Sequence, residues 1–338
     1  MKRFFQYLLY LIAKGVMFLM EHTPRRCFTL LSTAAGGIAS LIPAFGGLVR
    51  TNLRCAFPEK SEQEIRRMAR KSLESLCQTV CEFFWLHNKP EKVHELIDIQ
   101  PDLQNIMDEL KLSKEKRPII FITPHFGNWE LSGMVLALVF GHKMATVVRS
   151  ARNPYLDRLI SGGRSVKNVQ IIHSRGGMLK LVHAMENGCA AGMLIDQNTK
   201  IRNGGVFVDF FGLPCPVSRF PATMAMKKNA YIGIGCCIRK ADGRFHATMR
   251  KLPKEISEYT SEEEITQDIM TISEELIRLA PEQYLWLYKR FQYIPPDAPD
   301  SIRAKFPSYA YVPSERFFDN AARARAKRRE KMEESSPC

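Results

Sequence analysis

The sequence predicts an α/β protein, a mostly parallel or mixed sheet covered by helices, behind an N-terminal helical membrane anchor. Three observations carry this. Apolar runs of strand length recur through the middle of the chain, helical segments lie between several of them, and a basic-flanked apolar stretch opens it. With 338 residues, 45% hydrophobic and 25% charged, the chain is long enough to bury a sizeable core and has the composition of a folded protein.

At the N-terminus Lys2 and Arg3 precede a run from Phe4 to Met20 interrupted by the polar Gln6 and Lys14. A signal peptide would place small residues at a cleavage point, which His22-Thr-Pro-Arg-Arg does not resemble. The run is at the lower limit for spanning a bilayer, so it fits a short spanning helix or an interfacial one. A second uncharged stretch, Cys27 to Val49, is broken by Gly36, Gly37, Pro43, Gly46 and Gly47. Residues 1–50 thus form the anchoring region, 51–312 the α/β domain and 313–338 a basic, flexible tail. In that tail Arg323 to Lys331 holds six basic residues and one Glu.

Ser61 and Glu64 form a capping box for a helix over 61–86, with Ile65, Met68, Ala69, Leu73, Leu76 and Val80 at helical spacing. A second such helix starts at Ser261 with Glu264 and carries Ile265, Ile269, Ile272, Leu276 and Leu279 on one face. Between them, strands are expected at Pro118–Thr123, Ala145–Arg149, Val169–Ile172, Ala190–Ile195 and Tyr231–Ile238. Helices are expected at Asn128–Phe140, Gly176–Asn187 and Val217–Asn229.

Lys and Arg exceed Asp and Glu, 49 against 35, which favours an anionic partner: nucleic acid, an acidic lipid surface or an acidic carrier protein. The tail lacks the interleaved aromatics of a nucleic-acid platform, so nucleic acid is not expected. The nine cysteines include no C-x-x-C pair and read as buried hydrophobes in a reducing compartment. The histidines show no H-E-x-x-H spacing, so no metal is expected, and neither a phosphate-binding G-x-x-x-x-G-K-S/T loop nor a G-x-S-x-G elbow occurs.

The most informative segment is Arg117-Pro-Ile-Ile-Phe-Ile-Thr-Pro-His-Phe-Gly-Asn-Trp-Glu130. A buried strand ends near Thr123, a tight turn follows, and Asn128 caps a helix. His125 then sits at the carboxyl end of a strand, where open α/β sheets place their ligands. Glu130 falls in the first helical turn, where the dipole favours its ionised form and its carboxylate is within reach of the imidazole. A carboxylate holding one ring nitrogen leaves the other free to take a proton from a hydroxyl. Taken alone, the same residues also fit a histidine closing a strand and an ordinary helix-terminal charge.

His125-Phe-Gly-Asn-Trp-Glu130 resembles the H-x4-D/E motif of membrane acyltransferases, and more narrowly the H-x4-E form of the bacterial lipid A biosynthesis lauroyl/myristoyl acyltransferases. The resemblance runs to about residue 295 through Asn52-Leu-Arg-Cys-Ala-Phe-Pro58, Asn153-Pro-Tyr-Leu-Asp157, Gly163-Arg164, Asp196-Gln197, Gly205-Val-Phe-Val-Asp-Phe-Phe-Gly212 and Pro281-Glu-Gln-Tyr-Leu-Trp-Leu287. One departure is visible: the family usually has Pro where Asp209 stands.

The resemblance implies a core like that of the glycerol-phosphate acyltransferases, at the cytoplasmic face of a bacterial inner membrane. It implies no cofactor and no covalent intermediate. A fatty acyl chain would pass from acyl-acyl carrier protein, an acidic co-substrate, to a hydroxyl of an anionic lipid A precursor. His125 would be the general base and Glu130 its orienting partner. Arg164 would bind a phosphate of the acceptor or of the carrier's phosphopantetheine arm. Asp196 and Gln197, at another strand end, would face the same crevice, with Arg149 and Asn128 as further substrate-binding residues. Val206, Phe207, Val208, Phe210 and Phe211 would wall an acyl pocket or belong to the core. The rival readings are an acyltransferase for a lysophospholipid, glycolipid or amine, and a non-catalytic lipid-binding membrane protein.

Overall fold

The computed structural model describes residues 2–319 apart from 88, 114–116, 165–166 and 174–175; the basic stretch Arg323–Lys331 lies outside the described residues. Twelve α-helices are described: α1 (Lys2–His22), α2 (Arg26–Leu41), α3 (Leu48–Ala56), α4 (Glu62–His87), α5 (Val93–Leu96), α6 (Pro101–Leu112), α7 (Trp129–Met134), α8 (Pro154–Arg164), α9 (Gly177–Glu186), α10 (Phe220–Lys228), α11 (Glu262–Arg278) and α12 (Asp300–Arg303). The strands are β1 (Ile97–Ile99), β2 (Ile119–Ile122), β3 (Met144–Val148), β4 (Val169–His173), β5 (Ala190–Met193), β6 (Gly205–Phe210), β7 (Leu213–Ser218), β8 (Tyr231–Arg239) and β9 (Phe245–Lys251).

Seven strands form one sheet in the order β1-β9-β8-β2-β5-β3-β4. Only β8 and β9 pair antiparallel; every other neighbouring pair is parallel. The five expected strands are β2, β3, β4, β5 and β8; β2, β5 and β8 lie inside the sheet as apolar runs should, and β4 forms one edge. The sequence reading missed β1 and β9. β9 alternates buried Phe245, Ala247 and Met249 with more exposed His246, Thr248 and Arg250, the period of a strand with one wet face.

Three segments differ from expectation. The helix expected to run to Phe140 is α-helical only through α7 and continues as a π-turn, Val135–Val139. Val217 belongs to β7, and α10 begins only at Phe220. Gly205–Phe210 pairs with Leu213–Ser218 as a separate hairpin that sends Val206, Val208 and Phe210 into the core. Asp209 lies on this hairpin. Its N–H donates to Gln267 Oε1 at 2.7 Å and its carbonyl accepts from Gln267 Nε2 at 3.1 Å, a clamp to α11 whose first half a proline would lack.

At the N-terminus, α1 exposes Phe4, Phe5, Leu9, Phe18 and Leu19, and Arg3–His22 is long and apolar enough to cross a membrane. The second apolar stretch is bent by 85° between Arg26–Leu41 and Pro43–Ala56. At the other end, packing continues past the expected tail boundary at 312, since Pro313 and Phe317 are buried.

Glu82, on α4, ties these parts together and is 1% exposed. Arg239 at the end of β8 reaches it at 2.7 Å and also bonds Ser75 and Thr79 on the same helix face. Arg25, between α1 and α2, adds a second ion pair at 3.1 Å. Removing one partner of a buried ion pair costs about 3–5 kcal/mol because it leaves the other charge uncompensated. Glu82→Gln is therefore expected to lower the unfolding free energy by about that much. Replacing Glu82 and Arg239 together by apolar residues should cost less than the single change. Denaturant titration of the variants checks both statements.

Candidate active site

β2 and β5 are parallel neighbours, so their carboxyl ends lie side by side. The turn after β2 carries His125, and the turn after β5 carries Asp196. Asp196 accepts from the His125 backbone N–H at 2.9 Å and from ring Nδ1 at 2.7 Å, each on a different oxygen. The carboxylate, 2% exposed, takes the orienting place expected of Glu130. Burial by itself would raise its pKa. The charge and both hydrogen bonds of His125, with the Arg290 charge, outweigh this and hold it below its ordinary value.

The loop around His125 is clamped from three sides. Gly127 has φ of +60°, and a Cβ there would collide with the carbonyl oxygen of Cys237 on β8. That carbonyl accepts from Asn128 N at 2.9 Å. A strap, Pro281–Tyr288, runs along the opposite side: the Gln283 carbonyl accepts from Gly127 N, and Leu285 N donates to the His125 carbonyl. The strap is itself held by the Ser72 hydroxyl on the Tyr284 carbonyl and by Asn52 Nδ2, which donates to the carbonyls of Trp286 and Tyr288. Asn52 and the strap belong to two of the motif stretches, and their shared work is to fix this loop. Tyr284 also lies against Asp196; burial, then that charge, pushes its phenol well above the usual range.

Asn128 does not face a ligand. It is fully buried, its Oδ1 caps α7 by accepting from Leu131 N at 3.0 Å, and its Nδ2 donates to Glu82 at 3.0 Å. The residue expected to bind substrate instead links the His125 loop to the buried ion cluster.

His125 opens on a cavity of about 440 Å³ between the sheet and α7. Its walls are mainly apolar, among them Phe83, Phe121, Leu136, Met144, Ile171 and Met249. Gly192 and Gly235 keep the sheet face open there, and the ends of Met144 and Met249 lie across them. Glu130, Gln197 and Arg149 line the same cavity. Gln197 Nε2 lies 3.3 Å from His125 Nε2. Val206–Phe211 do not line it. Arg164 ends α8, with Gly162 and Gly163 in the helix rather than in a turn, and its side chain lies outside the described residues. Among the described residues no group of three His, Cys, Asp or Glu converges as metal ligands.

A carboxylate accepting from Nδ1 leaves the lone pair on Nε2, toward the cavity, where it is placed to take a proton. Cys236 and Cys237 also line the cavity, but burial pushes Cys237 to about 12 and Cys236 well above its usual value. They are thiols, unsuited as nucleophiles. The sequence reading missed Glu82, Tyr284 and Arg290. A signal for Glu82 was present: Ser75, Thr79 and Glu82 recur at helical spacing as a polar stripe on an otherwise apolar face.

Two measurements test this geometry. Gly127→Ala should cost at least about 2 kcal/mol, from left-handed backbone strain plus the collision, seen as a lowered thermal midpoint. Asp196 has a depressed folded pKa, so its stabilisation is present above the ordinary carboxylate value of about 4 and is lost as pH falls through the lower folded value. Asp196→Asn should flatten that part of the acid limb. Urea midpoints falling in parallel for variant and wild type between about pH 5 and 3 would refute it.

Comparison with known proteins places the chain. A family model for bacterial lipid A biosynthesis acyltransferases matches residues 2–293. The chain is 28% identical over 299 residues to a lipid A biosynthesis lauroyltransferase of Escherichia coli (strain K12), covering 84% of this chain and 92% of that one. It is 27% identical over 290 residues to a lipid A biosynthesis palmitoleoyltransferase of the same organism, covering 83% and 90%. The same figures hold for a lipid A biosynthesis acyltransferase of Shigella flexneri. The N-terminal apolar helix, the sheet, the His125 loop and the strap all fall inside the matched span, and the chain belongs to the bacterial lipid A biosynthesis acyltransferase family.

Proposed function

We propose that this acyltransferase moves a fatty acyl chain from acyl-acyl carrier protein to a hydroxyl on an acyl chain of a lipid A precursor, at the cytoplasmic face of the inner membrane. The observation that carries the chemistry is the His125–Asp196 pair at an apolar cavity. The fatty chain lies along the Met144 and Met249 walls, with its thioester at His125. Nε2 takes the proton of the attacking hydroxyl, Asp196 stabilises the imidazolium that forms, and the carrier's thiol leaves with the proton. The exposed apolar face of α1 supports membrane residence beside a lipid acceptor. The chain's net charge of +14 supports docking of an acidic carrier.

Mass spectrometry of lipid A from cells with and without this protein tests the acceptor: one added acyl mass is expected. Transfer to lysophospholipid or an amine with no change in lipid A would overturn it. With the purified enzyme, His125→Ala should lower turnover by about 10²–10⁴ while the fold persists. Near wild-type turnover would end the mechanism.

Asp196→Asn and Glu130→Gln separate the two carboxylates. The asparagine amide donates toward Nδ1 and drives the ring proton to Nε2, so turnover falls and the nitrogen NMR spectrum of His125 reports the other tautomer. Glu130→Gln should leave that tautomer unchanged, so whatever activity it removes is lost on the substrate side of the ring. A tautomer change in Glu130→Gln with none in Asp196→Asn would reverse the assignment.

A further inference from the structure

A second cavity, of about 410 Å³, shares no lining residue with the first. Lys200, Arg202 and Arg316 bring three cations to its walls, and Tyr293, Tyr311 and Phe317 supply aromatic surface. We infer that this cavity binds a phosphate ester carried by one of the two substrates, which deepens the acyl-transfer reading and rests on it.

The walls are built, not loose. Lys200 and Arg202 stand on the loop that leaves β5, the same loop that carries Asp196 and Gln197. Asn198 between them is pinned three times: its N–H donates to the Tyr288 hydroxyl at 3.0 Å, its Nδ2 to the Lys289 carbonyl at 2.9 Å, and its Oδ1 accepts from Arg290 at 2.8 Å. Thr199 N donates to the Pro216 carbonyl at 3.0 Å and Gly205 N to the Lys200 carbonyl at 3.1 Å. Across the cavity, Tyr293 and Tyr311 are joined as a bridge, and the turn Glu315–Phe317 is anchored by buried Phe317, 4.5 Å from the Tyr293 ring. Arg202 Nη1 donates to the Arg316 carbonyl, closing the loop against that turn.

Position and chemistry then select the ligand. Lys200 is three residues beyond Gln197, which touches His125, so their Cα atoms are at most about 11 Å apart. The loop that carries Lys200 thus starts at the base, and on this proposal one substrate spans both sites. Three cations on the walls match the several oxygens and negative charge of a phosphate ester. The tyrosine rings offer a flat face to whatever carries it. Phosphate occurs in both proposed substrates, on the acceptor's sugars and in the carrier's phosphopantetheine arm, and the site's chemistry is common to the two.

The test uses full-length enzyme carrying Lys200→Gln and Arg316→Gln, with Arg202→Lys as a milder third change that keeps the charge. Two substrate pairs are compared: acceptor with and without its phosphates, and acyl thioester of phosphopantetheine against that of pantetheine. The double variant should raise KM about 10- to 100-fold for the substrate whose phosphate is read, with kcat changed less, and the penalty should vanish when that phosphate is absent. The pair in which it vanishes identifies the source. No penalty, or an equal penalty on all four substrates, overturns the site. Should wild type transfer no acyl group to any acceptor, the acyl-transfer reading fails, and calorimetric titration with pyrophosphate then decides the site alone. Binding by wild type and not by the double variant sustains it; equal binding, or none, overturns it.

Discussion

A single buried carboxylate joins the parts of this molecule that sequence order keeps far apart. Glu82 lies near the C-terminal end of α4, and its oxygens are taken by Arg25, Arg239 and Asn128. Through these it fixes the α1–α2 junction, the end of β8 and the N-cap of the helix that follows His125. A carboxylate with almost no exposure is tolerable only when its charge is met and its lone pairs are filled, and here two guanidiniums and an amide do both. The cluster makes one rigid body of an apolar surface helix and a loop whose histidine must be held to within a fraction of an ångström.

A second electrostatic balance lies beside the first. Asp196 is buried, and so is Arg290, 1% exposed, which stacks on Phe210 and gives one hydrogen bond to Asn198. Two of its nitrogens, Nε and Nη2, lack hydrogen-bond partners. A buried guanidinium with so few bonds is costly, and the nearby Asp196 carboxylate is the charge that offsets it. The same carboxylate holds ring Nδ1 of His125, so the charge that offsets Arg290 also faces the imidazole.

Most of the sheet was legible in the sequence because its central strands are buried on both faces and so read as unbroken apolar runs. Two neighbouring strands on one side of the sheet were missed: β1 has three residues and no period to detect, and β9 follows β8 through a short turn at Asp242–Gly243, an antiparallel hairpin signal the sequence reading passed over. The hairpin of β6 and β7 was hidden by composition: prolines at 214 and 216 argue against a strand, yet β7 pairs only with β6, leaving its other edge free of ladder bonds.

The site divides along the same line between local and distant. His125, its position at a strand end and the capping role of Asn128 follow from residues within a few positions of one another, and each was readable. The partner of His125 was not, because spacing along the chain favours a neighbour such as Glu130, while adjacency in a parallel sheet is set by strand order. β5 lies beside β2 although 67 residues separate Ile122 from Ala190 on the chain, 122 to 190 with both ends excluded. Asp196 gains from that adjacency twice, since it accepts both the backbone and the ring N–H of one residue and so fixes where the histidine sits and how its ring is turned. Glu130, in the first turn of a helix whose cap is bound to Glu82, lines the cavity. The H-x4-E spacing therefore marks two groups that line one cavity, and the imidazole's Nδ1 is held by a residue the motif does not contain.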